Sequence, residues 1–328
     1  MLKNNALNLF KLLIISILIV NFNKIILDTD INNKDHKLVK IYDYVCEKYQ
    51  AELQYKCQRF SNNNEPRFTD QEVLTIYLFM MHHHGVFKIK QIHQFARDYL
   101  LGWFPELGSY QAFNNRINRV SAVMNTLTEG LLEEFAPAGC SKEFSLLDSM
   151  PIITCSGKRS GKVAREITDK GYCSTKGMYY YGLKLHALGF HHPGRLPHPE
   201  QILFTPASVN DLSLYKEAWG EIKNRTFFGD KIYNDQDFFQ KMNSTYNSEM
   251  LTPVKAVKGM PDVLKNFDRA KNDLYSRAVS RIRQPIEALF NWLIEKADIQ
   301  KASKVRSIKG LTLHAYGRLA AAFISLIF

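Results

Sequence analysis

The amino-acid sequence predicts an α/β protein in which a mixed β-sheet carries helices on both faces and follows a helical N-terminal region. Residues 36–140 contain apolar positions at helical spacing. From residue 141 onward, three strand-like segments come first and are followed by alternating helical and strand-like segments. That order indicates a mixed sheet covered on both faces. A chain of 328 residues is long enough to bury a sizeable core.

The first 35 residues form a separate apolar leader. The segment Leu12–Val20 is apolar except for Ser16, and Lys3 and Lys11 precede it. It resembles the apolar part of a signal peptide, but no small-residue cleavage site follows it. It is also shorter than the roughly 20 apolar residues that span a bilayer. We interpret it as a buried or dispensable leader; a start codon assigned too far upstream and a secreted or membrane-bound protein are the alternatives.

Residues 36–140 are predicted to be helical and to contact DNA. The predicted helices begin near Phe68 and cover Ile89–Leu101 and Tyr110–Phe135. Thr69 and Glu72 have the spacing of a capping box at the start of the first helix. Short helices that carry Arg116 and Arg119 suit docking on DNA in the manner of helix-turn-helix units, while a plain helical bundle is the alternative.

Residues 141–328 contain the predicted sheet. The predicted strands are Phe144–Ile153, Met178–Phe190, Gln201–Thr205, Thr226–Phe228 and Leu251–Val254. The predicted helices are Leu212–Lys223, Asp235–Asn243 and a long stretch from Asp262 to Ala297. Asn210 and Asp211 precede Leu212 and are typical of a helix cap.

The chain is basic, with 43 Lys and Arg against 32 Asp and Glu, a net charge of +11. The positive charge is concentrated in residues 155–184 and 265–309. An excess of this kind suits a polyanionic partner such as DNA, because basic side chains displace the counterions of phosphates. A soluble protein with a high isoelectric point is the alternative.

The chain contains five cysteines, at positions 46, 57, 140, 155 and 173. Their number is odd, and no two of them have a C-x-x-C spacing. This pattern argues against a disulfide framework or a zinc knuckle. We expect reduced thiols and a cytoplasmic protein.

Three carboxylates are placed where a sheet gathers functional groups. Asp148 interrupts an apolar strand, Asp230 ends another strand after Gly229, and Glu287 lies on a late helix. Carboxylates are the ligands that Mg²⁺ prefers, and two such ions clamp the attacking and leaving oxygens of an in-line displacement. Taken singly, each has an ordinary alternative: a turn at a strand end for the two aspartates, and a surface ion pair with Arg283 for Glu287.

Around these residues the sequence resembles the DDE transposases of bacterial insertion sequences. The likeness covers residues 68–325 and is carried by Leu147-Asp148-Ser149-Met150-Pro151, the Tyr-Tyr-Gly-Leu-Lys-Leu-His run ending at His186, Gly229-Asp230-Lys231-Ile232-Tyr233 and Arg283-Gln284-Pro285-Ile286-Glu287. Arg283 and Glu287 also match a longer pattern of some relatives, in which Ser280 stands here for a Tyr and Ile294 for a Lys.

This resemblance implies an RNase H-like catalytic core behind the helical region. It implies that Asp148, Asp230 and Glu287 bind two Mg²⁺ or Mn²⁺ ions. It also implies that the protein cuts the ends of its element in double-stranded DNA and joins them to target DNA. We expect a homodimer on DNA and no membrane partner. A metal-dependent nuclease without strand transfer and an inactive DNA-binding relic are the alternatives.

Further side chains are candidates for DNA contact. They are Lys158, Arg159, Lys184, Lys231 and Arg283. Lys184 and His186 alternate with leucines on a strand, so both are candidates to face the carboxylates, with His186 supporting a metal ligand; a histidine satisfied within the sheet is the alternative. Three consecutive tyrosines, 179–181, are able to stack on bases, although core packing is the role we predict for them.

Overall fold

The computed structural model describes residues 34–58, 66–85, 87–134, 136–254 and 269–328. The chain divides after Lys37 into two units, and the larger one extends from Leu38 to Phe328. The predicted leader segment Leu12–Val20 and the first part of the helix predicted from Asp262 lie outside the described residues. None of the described helices is both long enough and apolar enough to cross a membrane.

The region before residue 140 is helical, as predicted. Its helices are α1 (Lys34–Lys48), α2 (Gln54–Cys57), α3 (Asp70–His84), α4 (Ile89–Tyr99), α5 (Tyr110–Arg119) and α6 (Val123–Glu134). The capping box is confirmed, because the Thr69 hydroxyl accepts from the Glu72 amide and the Glu72 carboxylate accepts from the Thr69 amide. The helix predicted over Tyr110–Phe135 is two helices joined by a 3₁₀ turn at Val120–Ala122.

The two arginines that we expected to be available to DNA in this region are engaged inside the protein. Arg116 and Arg119 both pair with Asp70, a buried carboxylate in the first turn of α3. Arg119 also donates to the carbonyl of Cys57 at 2.9 Å. A buried charge requires a partner of opposite sign, so these contacts stabilise the packing of α3 on α5.

Within the described residues the sheet has six strands. They are β1 (Ser141–Ser156), β2 (Asp169–Cys173), β3 (Met178–His191), β4 (His198–Pro206), β5 (Thr226–Phe228) and β6 (Glu249–Leu251). Strands β4, β3 and β1 are antiparallel neighbours, and β5 and β6 continue the sheet in parallel from β1. The short strand β2 pairs with the other end of β3 and was not predicted from the sequence.

Helices cover both faces of the sheet. They are α7 (Asp211–Ala218), α8 (Gln236–Tyr246), α9 (Arg269–Arg283), α10 (Pro285–Ala297), α11 (Ile308–Thr312) and α12 (Arg318–Ile324). One face packs Leu146 and Met150 against α10 and shares a continuous apolar core with the N-terminal helices. The other packs Leu147 and Phe227 against α7 and α8. The mixed sheet with helices on both faces is confirmed and is consistent with an RNase H-like fold.

The pairing of β1 with β3 leaves no room for a side chain at Gly182. A Cβ atom added there would lie 1.9 Å from the carbonyl oxygen of Ile152, a distance at which no side chain fits. Gly182 is opposite Ile153 in the register, next to a bulge between Ile153 and Cys155. Glycine therefore allows the two longest strands to stay paired where the ribbon twists.

A buried histidine lies among the C-terminal helices. His314 belongs to the π-helical turn Leu313–Gly317, and its Nε2–H donates to the carbonyl of Ile299 at 2.7 Å. Burial and, to a smaller extent, the positive charge of Arg318 together lower the pKa of His314 to about 3. The folded protein therefore holds this ring neutral at pH values where an unfolded chain binds a proton.

We expect His314 to make the fold sensitive to mild acid. Its folded pKa lies below the usual value near 6.5, so the free energy of unfolding falls as the pH drops below 6.5, by about 1.4 kcal/mol per pH unit. His314→Gln retains a donor for Ile299 and removes the titration. Urea unfolding at pH 7.5 and 5.5 should show a smaller loss for the variant than for the wild type. An equal loss would remove His314 as a source of the acid sensitivity.

Candidate active site

Asp148 and Asp230 are brought together by the parallel pairing of β1 with β5. Leu146 of β1 is opposite Phe228 of β5, and each aspartate follows its partner residue by two positions. Both side chains therefore project toward the same face of the sheet. Asp230 ends the strand and caps the 3₁₀ turn Lys231–Tyr233, with its carboxylate accepting from the Lys231 amide at 2.7 Å.

Glu287 reaches this face from the first turn of α10. Gln284 separates α9 from α10, and Pro285 begins α10, because proline is accepted at the first position of a helix. Ile286, Leu289 and Leu293 are buried against the sheet. Glu287 lies beside this stripe and keeps 51% of its side chain exposed.

Arg283 joins two of the three carboxylates. Its Nη1 donates to Asp148 Oδ2 at 2.7 Å, and its Nη2 donates to Glu287 Oε1. Only 13% of the arginine side chain is exposed, against 23% for Asp148. The Nε–H of Arg283 is buried and has no hydrogen-bond partner within the described chain. The guanidinium is thus held by charge at the cost of one unsatisfied donor.

The environment of Asp148 disfavours its charge. Burial raises the pKa of Asp148 to about 6, although Arg283 and the Ser149 amide act to lower it. The Ser149 amide donates to Asp148 Oδ1 at 2.8 Å. Repulsion by Asp230 and Glu287 makes a smaller contribution to the raised pKa of Asp148. Three like charges therefore share one side of the sheet and are only partly balanced by a single cation.

Lys184 and His186 lie on the opposite face of the sheet from Asp148, which corrects the expectation that they point toward the carboxylates. In the β1–β3 register His186 is opposite Ser149 and Lys184 is opposite Pro151. The side chains of both residues therefore lie on the face of the sheet opposite to that of Asp148. Lys184 pairs with Asp211 at 3.0 Å, and His186 bonds to the hydroxyl of Thr205 at 2.8 Å.

The other candidate DNA contacts are exposed at two places. Lys231 follows Asp230 directly and is exposed beside the carboxylates. Lys158 and Arg159 lie in the loop after β1, beyond the far end of the strand from Asp148, and both are exposed. The tyrosine run is divided: Tyr180 is buried, as predicted, whereas Tyr179 is exposed.

Tyr233 is a neighbour of the site to which the sequence assigned no role, although it closes the Gly229–Tyr233 motif. It is buried in the second apolar core with Tyr215. Burial raises the pKa of its hydroxyl well above the usual range, and the carboxylates of Asp211, Asp148 and Asp230 add to this. The ring therefore belongs to the second core, and its hydroxyl lies close enough to the two aspartates for their charges to affect it. Asn210 is confirmed as the cap of α7, because its side chain accepts from the amides of Leu212 and Ser213.

Comparison with known protein families matches residues 138–308 to the Transposase DDE domain. The match spans 171 of the 328 residues, slightly more than half of the chain. The chain belongs to this family. Comparisons with curated proteins and with solved structures return no match.

Membership of the Transposase DDE domain family indicates an enzyme of the nucleotidyl-transferase type with DNA as its partner. Transposase domains of this family generally use divalent metals. The three carboxylates supply hard oxygen donors that suit such ions. Among the described residues, however, no group of three potential ligands is close enough to hold a metal ion. The guanidinium of Arg283 lies between Asp148 and Glu287 instead.

We predict that Arg283 stabilises this transposase domain when no metal is present. Arg283→Gln leaves Asp148 on the sheet without its cation, so the free energy of unfolding in EDTA should fall by about 1–3 kcal/mol. Millimolar Mg²⁺ should raise the melting temperature of the variant more than that of the wild type, because an added cation replaces the missing charge.

The matched control is Arg281→Gln, which removes an exposed arginine from the same helix. Its stability should change by less than about 0.5 kcal/mol. If Arg283→Gln and Arg281→Gln behave alike in EDTA, the bridge between Asp148 and Glu287 does not contribute to stability.

Proposed function

We propose that this protein is a DNA transposase that cuts the ends of its element and joins them to target DNA, with Asp148, Asp230 and Glu287 as the metal ligands. The observation that supports this most is the convergence of the three carboxylates. They arrive from β1, from the end of β5 and from α10, on one face of one sheet. No other feature of the described chain gathers acidic groups with a shared cationic partner at a strand end.

The proposed reaction is phosphoryl transfer supported by two Mg²⁺ or Mn²⁺ ions. When bound, the ions supply Lewis-acid stabilisation of the charge that develops on the phosphate oxygens, and they lower the pKa of the attacking hydroxyl. The three carboxylates would hold the ions at the edge of the sheet. The burial of Asp148 restricts water around its carboxylate, which strengthens electrostatic interactions there.

Arg283 has two roles in the proposed function, one in the absence of metal ions and one in their presence. In the metal-free protein it neutralises Asp148 and Glu287, which otherwise repel each other. When the metals bind, the guanidinium has to leave at least one of these carboxylates. Its planar donor set then suits a phosphate oxygen of the DNA end, because arginine binds carboxylate and phosphate with the same fork geometry. Arg283 would therefore serve as a substitute cation first and as a DNA contact afterwards.

DNA contact is proposed for the exposed basic residues on the carboxylate side. The exposed residues are Lys231, beside the carboxylates, and Lys158 and Arg159, in the loop after β1. Arg283, which is 13% exposed, is included only once it has left a carboxylate. Lys184 is no longer included, because it pairs with Asp211 on the other face. We retain residues 36–140 as a DNA-binding region and residues 141–328 as the catalytic domain, although the arginines paired with Asp70 are not the contacts.

The first test is cleavage of DNA that carries the flanking ends of the protein's own gene. With Mg²⁺ or Mn²⁺, Asp148→Asn, Asp230→Asn and Glu287→Gln should each reduce cutting by at least about a hundred-fold, because the metal contribution amounts to several kcal/mol. DNA affinity should stay within a few-fold of wild type. Asp237→Asn, an exposed carboxylate of α8, is the control and should cut normally.

Mapping the products distinguishes the possible activities. Element ends joined to target DNA identify a transposase, and cuts without joining identify a nuclease. Binding without cutting by the wild-type chain would indicate an inactive relic. Near-normal cutting by one of the three carboxylate variants would remove that residue from the site.

The second test measures how DNA binding depends on salt. If about six phosphates are neutralised, log K should fall with log[salt] at a slope near −5. Changing Lys158 and Arg159 to Ala together should flatten this slope by about one to two units and weaken all DNA sequences similarly, because phosphate contacts do not read bases. Lys223→Ala with Lys241→Ala removes two exposed charges elsewhere and should leave the slope unchanged. Equal slopes for both double variants would exclude the loop after β1 from the DNA contact.

A further inference from the structure

The far end of the β1–β3 ribbon carries two exposed aromatic rings. Tyr172 of β2 is opposite Tyr179 of β3 in the register. Their ring centroids are 5.0 Å apart, and 55% and 58% of the two residues are exposed. Their neighbour Tyr180 is 1% exposed, because it packs with Cys173 on the other face. Leaving two large rings in water is costly, so the pair is a candidate contact surface.

Positive charge surrounds this pair. Lys170 Nζ lies 5.0 Å from the centroid of Tyr179. The loop after β1 runs beside it, since the Gly157 amide donates to the Tyr179 carbonyl at 2.8 Å. The loop also packs closely on Tyr181, because a Cβ atom added at Gly161 would lie 2.5 Å from the ring of Tyr181. The exposed basic side chains of this loop are Lys158, Arg159, Lys162 and Arg165.

These four charges outnumber the acids beside them, which are Glu166 in the loop and Asp169 at the start of β2. Within the described part of the chain, no carboxylate forms an ion pair with the four basic side chains of the loop. Asp169 is the acid that starts β2, and its carboxylate accepts from the amide of Ser208 at 2.7 Å and from the Ser208 hydroxyl. The surface is therefore aromatic and cationic together, which is the composition of sites that bind unpaired nucleic acid.

We propose that Tyr172 and Tyr179 form a stacking site for unpaired bases of DNA, and that the loop of residues 157–168 binds the adjacent phosphates. The inference rests on the proposed function, because it assumes that DNA is the substrate. A second copy of this chain is disfavoured as the partner, because two surfaces of the same positive charge repel each other.

The pair lies on the same side of β3 as the carboxylate site. Tyr179 and Ala187 are an even number of positions apart along β3, so their side chains lie on the same face, and Ala187 is opposite Asp148. Eight residues separate Tyr179 from Ala187, which corresponds to about 26 Å at about 3.3 Å per residue. At about 3.4 Å per base pair this is about eight nucleotides. One DNA strand can therefore reach both places, with its unpaired portion on the tyrosines.

The experiment compares single-stranded and duplex DNA of equal length by fluorescence anisotropy, in EDTA, with the full chain. Tyr172→Leu with Tyr179→Leu should weaken binding of single-stranded DNA about ten-fold or more, because each stacked base contributes. Duplex affinity should change less than about three-fold, and the salt slope should not change, because no phosphate contact is removed. Tyr172→Phe with Tyr179→Phe keeps both rings and should bind within about two-fold of wild type.

Tyr246→Leu in α8 is the control for loss of a tyrosine elsewhere, and it should leave both affinities unchanged. If the double Leu variant loses thermal stability, the two single Leu variants are tested in its place, since each keeps one ring. Each should weaken the binding of single-stranded DNA by a factor between those of the wild type and the double variant. Wild-type affinity for single strands in the Leu variants would overturn the stacking site. A changed oligomeric state with unchanged DNA affinity would overturn it in favour of a contact between copies. If the wild-type chain binds neither DNA, the proposed function itself fails.

Discussion

The long antiparallel pairing of β1 with β3 is the constraint on which the rest of the structure depends. It extends over nearly the whole of both strands, and the absence of a side chain at Gly182 keeps the two backbones close where the ribbon twists. Because side chains alternate along a strand, this single register decides which groups share a face. It turns Asp148 toward α10 and turns His186 away from it, and it carries the loop after β1 to the opposite end of the ribbon.

The second constraint is electrostatic and is concentrated at one end of that ribbon. A buried carboxylate whose pKa is raised to about 6 is unfavourable for the fold unless a cation lies near it. Arg283 supplies that cation from the last turn of α9, four residues before Glu287, so that one guanidinium contacts carboxylates from a strand and from a helix. This contact also ties the end of α9 to the sheet. Under the proposed function, metal ions would compete with this bridge for the same oxygens.

Local signals in the sequence predicted the structure where one segment decides its own conformation. The capping box at Thr69 and the strand Thr226–Phe228 are examples. Strand β2 was missed because its five residues, Asp169–Cys173, have no apolar run and are held by pairing with β3. Alternation showed that Lys184 and His186 share a face, but the choice of face depends on the pairing partner. Pro285 is the sequence feature that indicates the division of the long C-terminal helix into α9 and α10, because proline is disfavoured inside a helix.

The two faces of the sheet consequently have different roles. On the face away from α10, Asp211 accepts from Lys184 and lies 3.5 Å from Nδ1 of His186, a buried nitrogen without a hydrogen-bond partner in the described chain. The contact between Lys184 and Asp211 fastens the start of α7 to the sheet. On the α10 face, Asp148 and Glu287 share the single guanidinium of Arg283, whose buried Nε–H has no acceptor in the described chain, and the tyrosine pair lies in solvent. Unsatisfied charge and exposed rings on a rigid ribbon are the features that a bound ligand can complete. The α10 face, which carries the repelling carboxylates and the exposed rings, is therefore the face on which DNA chemistry is to be sought.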